Sequence, residues 1–220
     1  GGGATFTADG NYLYYTHSDP GRVSDMNLYS VPSLGGTPQL IVTDVNSSAA
    51  FSPDGKRIAY RRDIQSSSEQ QILIANADGS GGRTIYKAQL RPGSGLFTDL
   101  SWSPSNLIAL GIFATAKDEI TAIRVLSPDG KIVKEFPQNK LITSVAWMPD
   151  SSGLLFIAGD KSTGLRWRIW FQPYPSGEPF RVTNDLSQYH SLSITADGKK
   201  FVTMQEREAA TIYVSDSPIR

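Results

Sequence analysis

The chain carries the segment Phe51-Ser52-Pro53-Asp54-Gly55-Lys56-Arg57-Ile58-Ala59-Tyr60 and repeats its pattern four more times. Looser copies occupy residues 6–10, 102–106, 147–151 and 194–198. The first residue of each copy is apolar and is called the anchor below. Successive anchors are separated by 45, 51, 45 and 47 residues. A repeat of this period is typical of solenoids and propellers, in which each repeat is one supersecondary unit.

The repeated segment predicts a tight turn between two strands. Pro53 presets φ near the value that the first turn position needs, Asp54 bonds the turn backbone, and Gly55 accepts a positive φ. The third copy, at residues 102–106, has no Asp-Gly pair. We therefore expect its turn to be tighter than the others, or irregular.

Each copy continues into three more short strands. After the anchor strand of the second copy, they are predicted at residues 57–60, 71–75 and 83–86, and a glycine-rich hairpin turn at 78–82 joins the last two. These runs are short and rich in β-branched, aromatic and apolar residues, which favours strands over helices. No helical pattern separates one copy from the next.

The repeats predict an all-β fold, a β-propeller of five four-stranded repeats. Residues 1–220 form a single propeller domain or fragment, and the predicted blades span approximately residues 4–43, 48–87, 98–137, 144–184 and 190–216. The last blade lacks its own outer strand, because residues 215–220 are too few and too polar for a turn and a strand.

The strand count also bears on ring closure. The first blade begins just before an inner strand and the last ends after a third strand, so we expect this chain to be part of a longer propeller. A ring left open would expose an apolar face on each terminal blade. We therefore expect self-association through the open terminal blades.

Composition excludes several classes of function. Twenty-one basic residues balance twenty-one acidic ones without forming a basic stripe, which argues against a nucleic-acid partner. The absence of cysteine excludes disulfides and thiolate metal sites. No apolar run is long enough for a membrane helix, so no membrane insertion by this chain is expected.

Sequence motifs resemble those of a known family. The pattern apolar-[Ser/Thr]-[Pro/Ala]-Asp-Gly, followed by a strand such as that of residues 71–79, resembles the TolB-like, WD-repeat-like bacterial propellers. Residues 181–186 and 192–199 are similar to the propellers of bacterial eukaryotic-type serine/threonine kinases. That resemblance implies an extracytoplasmic, periplasmic or cell-surface location and a role in sensing or in binding proteins. Similar repeats also form the gating domain of prolyl-oligopeptidase-like enzymes.

The sequence offers no motif for catalysis. Neither a Gly-x-Ser-x-Gly nucleophile elbow nor a His-Glu-x-x-His or EF-hand spacing is present. The run Gly79-Ser80-Gly81-Gly82 lacks the lysine and helix of a phosphate-binding loop, so a hairpin is the better interpretation. No cofactor and no metal site are therefore predicted.

Two further groups of residues are candidate sites. His17 and His190 fall in loops on one rim, where they could bind a metal if the first and fifth blades adjoin, although two ordinary exposed histidines are expected. Asp44, Asp99 and Asp185 lie at strand ends, where paired carboxylates could perform acid/base chemistry. Capping of loop amides is the expected role of these aspartates.

The rim that holds the second-to-third and fourth-to-first connections is the predicted binding surface. Arginine and aromatic side chains concentrate at the hot spots of protein interfaces. The candidate residues on this rim are Arg91, Arg166, Trp167, Arg168, Tyr189 and His190, with Arg61, Arg62 and Gln188 nearby in the same set of loops. The alternative is that the tryptophans simply cover blade edges.

These observations predict a non-enzymatic β-propeller scaffold for protein–protein interaction or ligand sensing, which is the extracytoplasmic part of a larger signalling protein. The alternative is a substrate-gating or glycan- or peptide-binding propeller attached to a hydrolase such as a prolyl-oligopeptidase-like enzyme. The protein, peptide or small-molecule ligand is not specified by any motif.

Overall fold

A computed structural model gives the fold of this chain. It describes residues 3–18, 26–89, 98–112, 121–160, 166–185 and 187–206. The described part of the chain is built of β-strands, and its helical content is a single 3-10 turn at Gln65–Ser67. No helix in these ranges has the length and apolar character needed to cross a bilayer.

Four sheets have four antiparallel strands each, joined in chain order. The first contains β1 (Ala4–Phe6), β2 (Tyr12–Ser18), β3 (Met26–Pro32) and β4 (Gln39–Val42). The second contains β5 (Ala50–Phe51), β6 (Arg57–Ile64), β7 (Glu69–Asn76) and β8 (Arg83–Gln89). The third contains β9 (Ser101–Trp102), β10 (Ile108–Ile112), β11 (Thr121–Leu126) and β12 (Ile132–Gln138). The fourth contains β13 (Leu141–Trp147), β14 (Gly153–Asp160), β15 (Arg166–Pro173) and β16 (Phe180–Arg181).

A fifth sheet pairs β17 (Gln188–Ile194) with β18 (Phe201–Glu206). The prediction of four-stranded blades is thus confirmed for four of the five repeats. In the fifth repeat, the predicted third strand at residues 211–214 lies outside the described residues, as does the loop at 90–95. The five-blade count, with a last blade that lacks its own outer strand, therefore stays a prediction.

The repeated turn has the same hydrogen bonds wherever its motif is complete. In the second copy, the Ser52 hydroxyl donates to Asp54 Oδ1 at 2.6 Å and accepts from the Arg57 amide at 2.9 Å. Asp54 Oδ1 also accepts from the Lys56 amide at 3.1 Å. Gly55 has a φ of 68°, the left-handed conformation that glycine tolerates best. The sequence therefore specifies this turn locally.

The third copy departs from this turn in the way its sequence predicts. Ser103 N donates to the Leu107 carbonyl oxygen, four residues on, whereas Ser52 N donates to that of Arg57, five residues on. The turn is therefore tighter by one residue. Asn106 takes the left-handed position with a φ of 63°, which asparagine tolerates better than most residues.

Apolar clusters lie between successive sheets and join them. Ile58 and Tyr60 of the second sheet pack with Leu28 of the first, while Phe156 of the fourth packs with Ile123 of the third. Two further clusters join the second sheet to the third and the fourth to the fifth. Each sheet thereby buries faces that it could not bury alone, which is the packing expected of propeller blades.

At two of these contacts between sheets, a glycine in a hairpin turn packs against the neighbouring sheet. Gly79, in the β7–β8 turn, approaches the first sheet so closely that an added Cβ would lie 2.1 Å from the carbonyl oxygen of Ile41. Gly130, in the β11–β12 turn, approaches the second sheet in the same way, and its Cβ would lie 1.9 Å from the carbonyl oxygen of Ile85. Both positions therefore require glycine for space as well as for backbone angle.

The inner strands of the sheets surround a central cavity of about 720 Å³, which residues of all five repeats line. At the fifth sheet, β18 is the outermost strand among the described residues. Its apolar side chains are poorly covered, since Val202 is 66% exposed and Met204 is 62% exposed. Phe6 of the first sheet is 59% exposed.

Candidate functional site

The predicted rim residues fall into two groups at different boundaries between sheets. Arg61 and Arg62 lie where the first and second sheets join. Arg61 Nη2 donates to the Asn46 carbonyl oxygen at 2.6 Å, and Arg62 Nη2 donates to that of Thr43 at 2.9 Å. Both arginines therefore hold the connection between these sheets. Arg91 lies outside the described residues.

The second group lies at the boundary between the fourth and fifth sheets. The prediction that these residues lie in loops was wrong, because residues 166–168 begin strand β15 and residues 188–190 begin strand β17. The rim ends of these two strands, from adjacent sheets, lie in contact and bring the residues together. Tyr189 belongs to the apolar cluster between these sheets, and Trp167 packs against that cluster. We call Arg166, Trp167, Arg168, Tyr189 and His190 the 4/5 rim site.

Trp167 and Arg166 form the accessible part of the 4/5 rim site. Trp167 is half-buried and lies opposite Gly159 of β14, where an added Cβ would be 3.0 Å from the Cε3 and Cζ3 atoms of the indole. Gly159 thus leaves room for the ring to lie on the sheet. Arg166 is exposed beside it. The indole covers the edge of a blade and still presents part of its surface to solvent.

Arg168 is buried, with 7% of its surface exposed. Its Nη1 donates a hydrogen bond to the carbonyl oxygen of Ser187, in the connection between β16 and β17. A buried guanidinium that bonds a loop carbonyl positions that loop, because breaking the bond would leave polar groups unsatisfied. Arg168 therefore supports the surface of the 4/5 rim site from beneath.

Tyr189 is also buried, at 6% exposure. Its hydroxyl donates to Asp185 Oδ2 at 2.5 Å, and Asp185 Oδ1 accepts from the Ser187 amide at 3.0 Å. Burial raises the pKa of the Tyr189 hydroxyl, and the neighbouring Asp185 carboxylate raises it further. The bond to the Ser187 amide confirms the capping role predicted for Asp185.

Comparison with known proteins identifies the fold. No protein-family model matches the chain, and no curated protein matches it significantly. TolB from Acinetobacter baumannii aligns with a TM-score of 0.71 and 18% identity, over 88% of this chain and 47% of that one. A protein described as TolB from Agrobacterium tumefaciens aligns with a TM-score of 0.62 and 17% identity, over 81% and 63%. The chain has a TolB-like β-propeller fold.

Other propellers share this fold. A chain of the nidogen–laminin complex aligns with a TM-score of 0.63 and 15% identity, over 92% of this chain and 70% of that one. The β-propeller domain of the Trilobed protease from Pyrococcus furiosus and two structures of acylaminoacyl peptidase are also among the similar structures. The chain spans less than two thirds of the length of either TolB protein.

The two histidines lie on strands of different sheets and not in loops as the sequence predicted. His17 is an exposed residue of β2, whereas His190 lies on β17 and its Nε2 is 2.9 Å from Glu206 Oε2. Within the described ranges, no group of three or more histidine, aspartate or glutamate side chains is arranged to hold a metal ion. The metal hypothesis for His17 and His190 gains no support from this arrangement.

Asp44 and Asp99 make different contacts at their strand ends. Asp44 Oδ2 is 3.3 Å from Arg62 Nε, and Asp99 Oδ1 accepts from the Ser48 amide at 3.1 Å. The bond to Ser48 confirms a capping role for Asp99, while Asp44 forms an ion pair instead. Sequence reasoning did not single out Glu206 or Gln205, the partners of His190 and Tyr189. Their pairing depends on the β17–β18 register.

Proposed function

We propose that this TolB-like propeller is a non-enzymatic scaffold that binds a protein partner through the 4/5 rim site. The observation that carries this proposal is that Arg166 and Trp167 are accessible to solvent while the buried Arg168 and Tyr189 hold the connection beside them in place. Tryptophan and arginine are the side chains most enriched at the energetic centres of protein interfaces. Function commonly lies on loops that a rigid scaffold positions.

The buried neighbours explain why this part of the rim can bind without reorganising. Arg168 holds the Ser187 carbonyl, and Tyr189 holds the Asp185 carboxylate that caps the same connection. A surface that is ordered before binding loses less conformational entropy when the partner arrives. Arg168 and Tyr189 therefore act as supports, while Arg166, Trp167 and His190 make contact.

We further propose that the propeller is the extracytoplasmic sensing part of a larger signalling protein. The support is the resemblance of residues 181–186 and 192–199 to the propellers of bacterial serine/threonine kinases, together with the TolB-like fold. A kinase segment and a membrane span encoded by the same gene would support this role.

A second candidate is a propeller that gates substrate for a hydrolase or binds its peptide or glycan. Peptidase propellers among the similar structures favour it. An α/β-hydrolase segment encoded by the same gene would support this role and would count against the signalling one.

Site-specific photocrosslinking tests the rim proposal. A photoreactive phenylalanine analogue is placed at Arg166. The control position is Lys56, in the turn between β5 and β6 of the second sheet. In cells of the source organism we expect one partner protein to be captured from position 166 and not from position 56. The captured protein is then purified, and the dissociation constant of its complex with the propeller is measured.

Two variants complete this test. Trp167→Ala should weaken binding of the purified partner at least about tenfold, which is the usual effect of truncating an interface hot spot. Lys56→Ala should leave the affinity unchanged. Equal capture from both positions, or an affinity that Trp167→Ala does not change, would contradict the proposal.

A further inference from the structure

Equivalent positions in the five repeats meet around the central cavity. The residue three positions before each anchor lines it in every repeat. These residues are Gly3, Ser48, Asp99, Ser144 and Ser191. The repeat therefore builds a ring in which four members are glycine or serine and one is an aspartate.

A second ring lies two residues further along the inner strands. Thr5, Ser101, Ala146 and Ser193, each one position before its anchor, also line the cavity. The two rings supply hydroxyl groups that can donate and accept hydrogen bonds. Between the two rings, Leu100 and Val145 are buried in the apolar clusters that join neighbouring sheets. A wall that presents hydroxyl groups suits a ligand that is itself rich in hydroxyls.

Asp99 is the only charged side chain among the described residues that line the cavity. Its bond to the Ser48 amide engages one carboxylate oxygen, Oδ1, and fixes the orientation of the group. The residue is exposed toward the cavity, and within the described ranges no basic nitrogen forms an ion pair with it. The carboxylate therefore retains capacity to bind a cation.

We propose that the central cavity binds a small hydroxylated amine, of the amino-sugar class, whose ammonium group pairs with Asp99. The hydroxyl groups of the ligand bond to Ser144, Ser191 and Ser193. A charged hydrogen bond to a carboxylate is stronger than a neutral one, so Asp99 supplies the main discrimination. This site is separate from the 4/5 rim site.

The dimensions of the cavity agree with this ligand class. Binding sites for small molecules typically have volumes of roughly 300 to 1,000 Å³, and this cavity measures about 720 Å³. A metal ion is a poorer occupant, because a single carboxylate among neutral hydroxyls supplies too few of the anionic oxygen ligands that hard cations prefer.

Isothermal titration calorimetry with three probes tests the inference. Glucosamine carries the ammonium and the hydroxyls, glucose lacks the ammonium, and n-butylamine lacks the hydroxyls. We expect glucosamine to bind at least about tenfold more tightly than either of the other probes. Failure of glucosamine to bind, or equal binding of glucose or n-butylamine, would overturn the inference.

Matched variants locate the binding. Asp99→Asn keeps an oxygen to accept from the Ser48 amide, so it should fold normally, and we expect it to weaken glucosamine binding at least about tenfold. Glu178→Gln removes the same charge from an exposed position away from the cavity and should have no effect. Ser193→Leu, which narrows the cavity, should also weaken binding.

The control at the rim separates this inference from the proposed function. Trp167→Ala should leave glucosamine binding unchanged. Circular dichroism should show that each variant retains the wild-type strand content. Folded Asp99→Asn that binds glucosamine as tightly as the wild-type chain would refute the role assigned to the carboxylate.

Discussion

Tyr189 is a candidate binding residue by sequence, but in the structure it supports the 4/5 rim site from the interior of the fold. Its side chain is buried between the fourth and fifth sheets, and its hydroxyl bonds to Asp185. A tyrosine in a rim loop suggests a binding residue from sequence, because aromatic side chains are common in interfaces. Because Tyr189 is buried, we expect its replacement to change the stability of the fold, and any effect on binding would follow from that change.

Tyr189→Phe should therefore destabilise the protein. Removing a hydrogen bond to a charged carboxylate costs roughly 1.5 to 3 kcal/mol of unfolding free energy, and urea denaturation measures the loss. Tyr12→Phe is the control, because Tyr12 is exposed on β2 and its replacement should leave the midpoint unchanged. Equal midpoints for Tyr189→Phe and wild type would show that the bond to Asp185 does not stabilise the fold.

Arg168→Ala should also destabilise the fold, because it leaves the buried Ser187 carbonyl without its guanidinium donor. We expect a loss of roughly 1 to 3 kcal/mol in the same urea measurement. Arg166→Ala, which truncates the neighbouring exposed arginine, should stay within about 0.5 kcal/mol of wild type. Similar losses for both arginines would contradict the distinction between support and contact.

Hairpin turns pack one blade against the next. The β11–β12 turn brings Gly130, at a φ of 87°, against the Ile85 carbonyl of the preceding sheet, and Arg83 Nη2 donates to the Pro128 carbonyl of the same turn at 2.7 Å. The turn thus fits the neighbouring blade by shape and by a hydrogen bond.

Gly130→Ala tests this contact against a matched glycine. Gly10 has a similar φ of 71° but no atom within 4 Å of an added Cβ, so Gly10→Ala carries only the backbone cost. Gly130→Ala adds a clash with a backbone carbonyl, and we expect it to cost about 1 to 3 kcal/mol more. Urea denaturation compares the two, and equal losses would show that the second sheet yields to the added methyl group.

The repeated aspartate turns contribute to the pH dependence of the protein's stability. Hydrogen bonds from neighbouring hydroxyls lower the pKa of the turn carboxylates, with Ser52 as the main cause at Asp54 and Thr195 at Asp197. The same direction holds for Asp9, Asp129 and Asp150. These groups contribute stability that is present above the unfolded pKa of about 3.9 and is lost as pH falls through their lower folded values.

Urea midpoints at about pH 7, pH 5 and pH 3 should therefore show the contribution of these turns. We expect little change from the turn carboxylates between the first two values and a fall at the lowest. The double variant Asp54→Asn, Asp197→Asn should show a smaller fall between pH 5 and pH 3. An identical fall in the variant would exclude these turns as its source.

The exposed apolar faces at the first and fifth sheets bear on assembly. Val202 and Met204 of β18 are largely exposed, and exposed apolar patches favour association. Light scattering should detect oligomers of the isolated chain, and Val202→Glu with Met204→Lys should shift them toward monomer. Leu34→Lys, at a fully exposed residue of a turn in the first sheet, is the control. A monomeric wild-type chain would contradict the expected self-association.

Local chemistry explains how much of the fold could be predicted from sequence. The Ser-Pro-Asp-Gly turn closes through bonds among residues at most five positions apart, so its sequence alone determines it. The tighter turn ending at Asn106 was predictable for the same reason, since the missing Asp-Gly pair is a local feature. The five repeats of this turn then predicted the all-β propeller.

The candidate site required tertiary structure because its roles depend on contacts between blades. Sequence placed Trp167, Arg168 and Tyr189 on one rim, but packing of the fourth and fifth sheets buries Arg168 and Tyr189 and leaves Trp167 half-exposed. Asp99 was recognisable as a strand-end carboxylate, whereas its place in a ring of serines depends on five inner strands meeting around one cavity. Such contacts join residues far apart in the chain, so no local pattern of sequence encodes them.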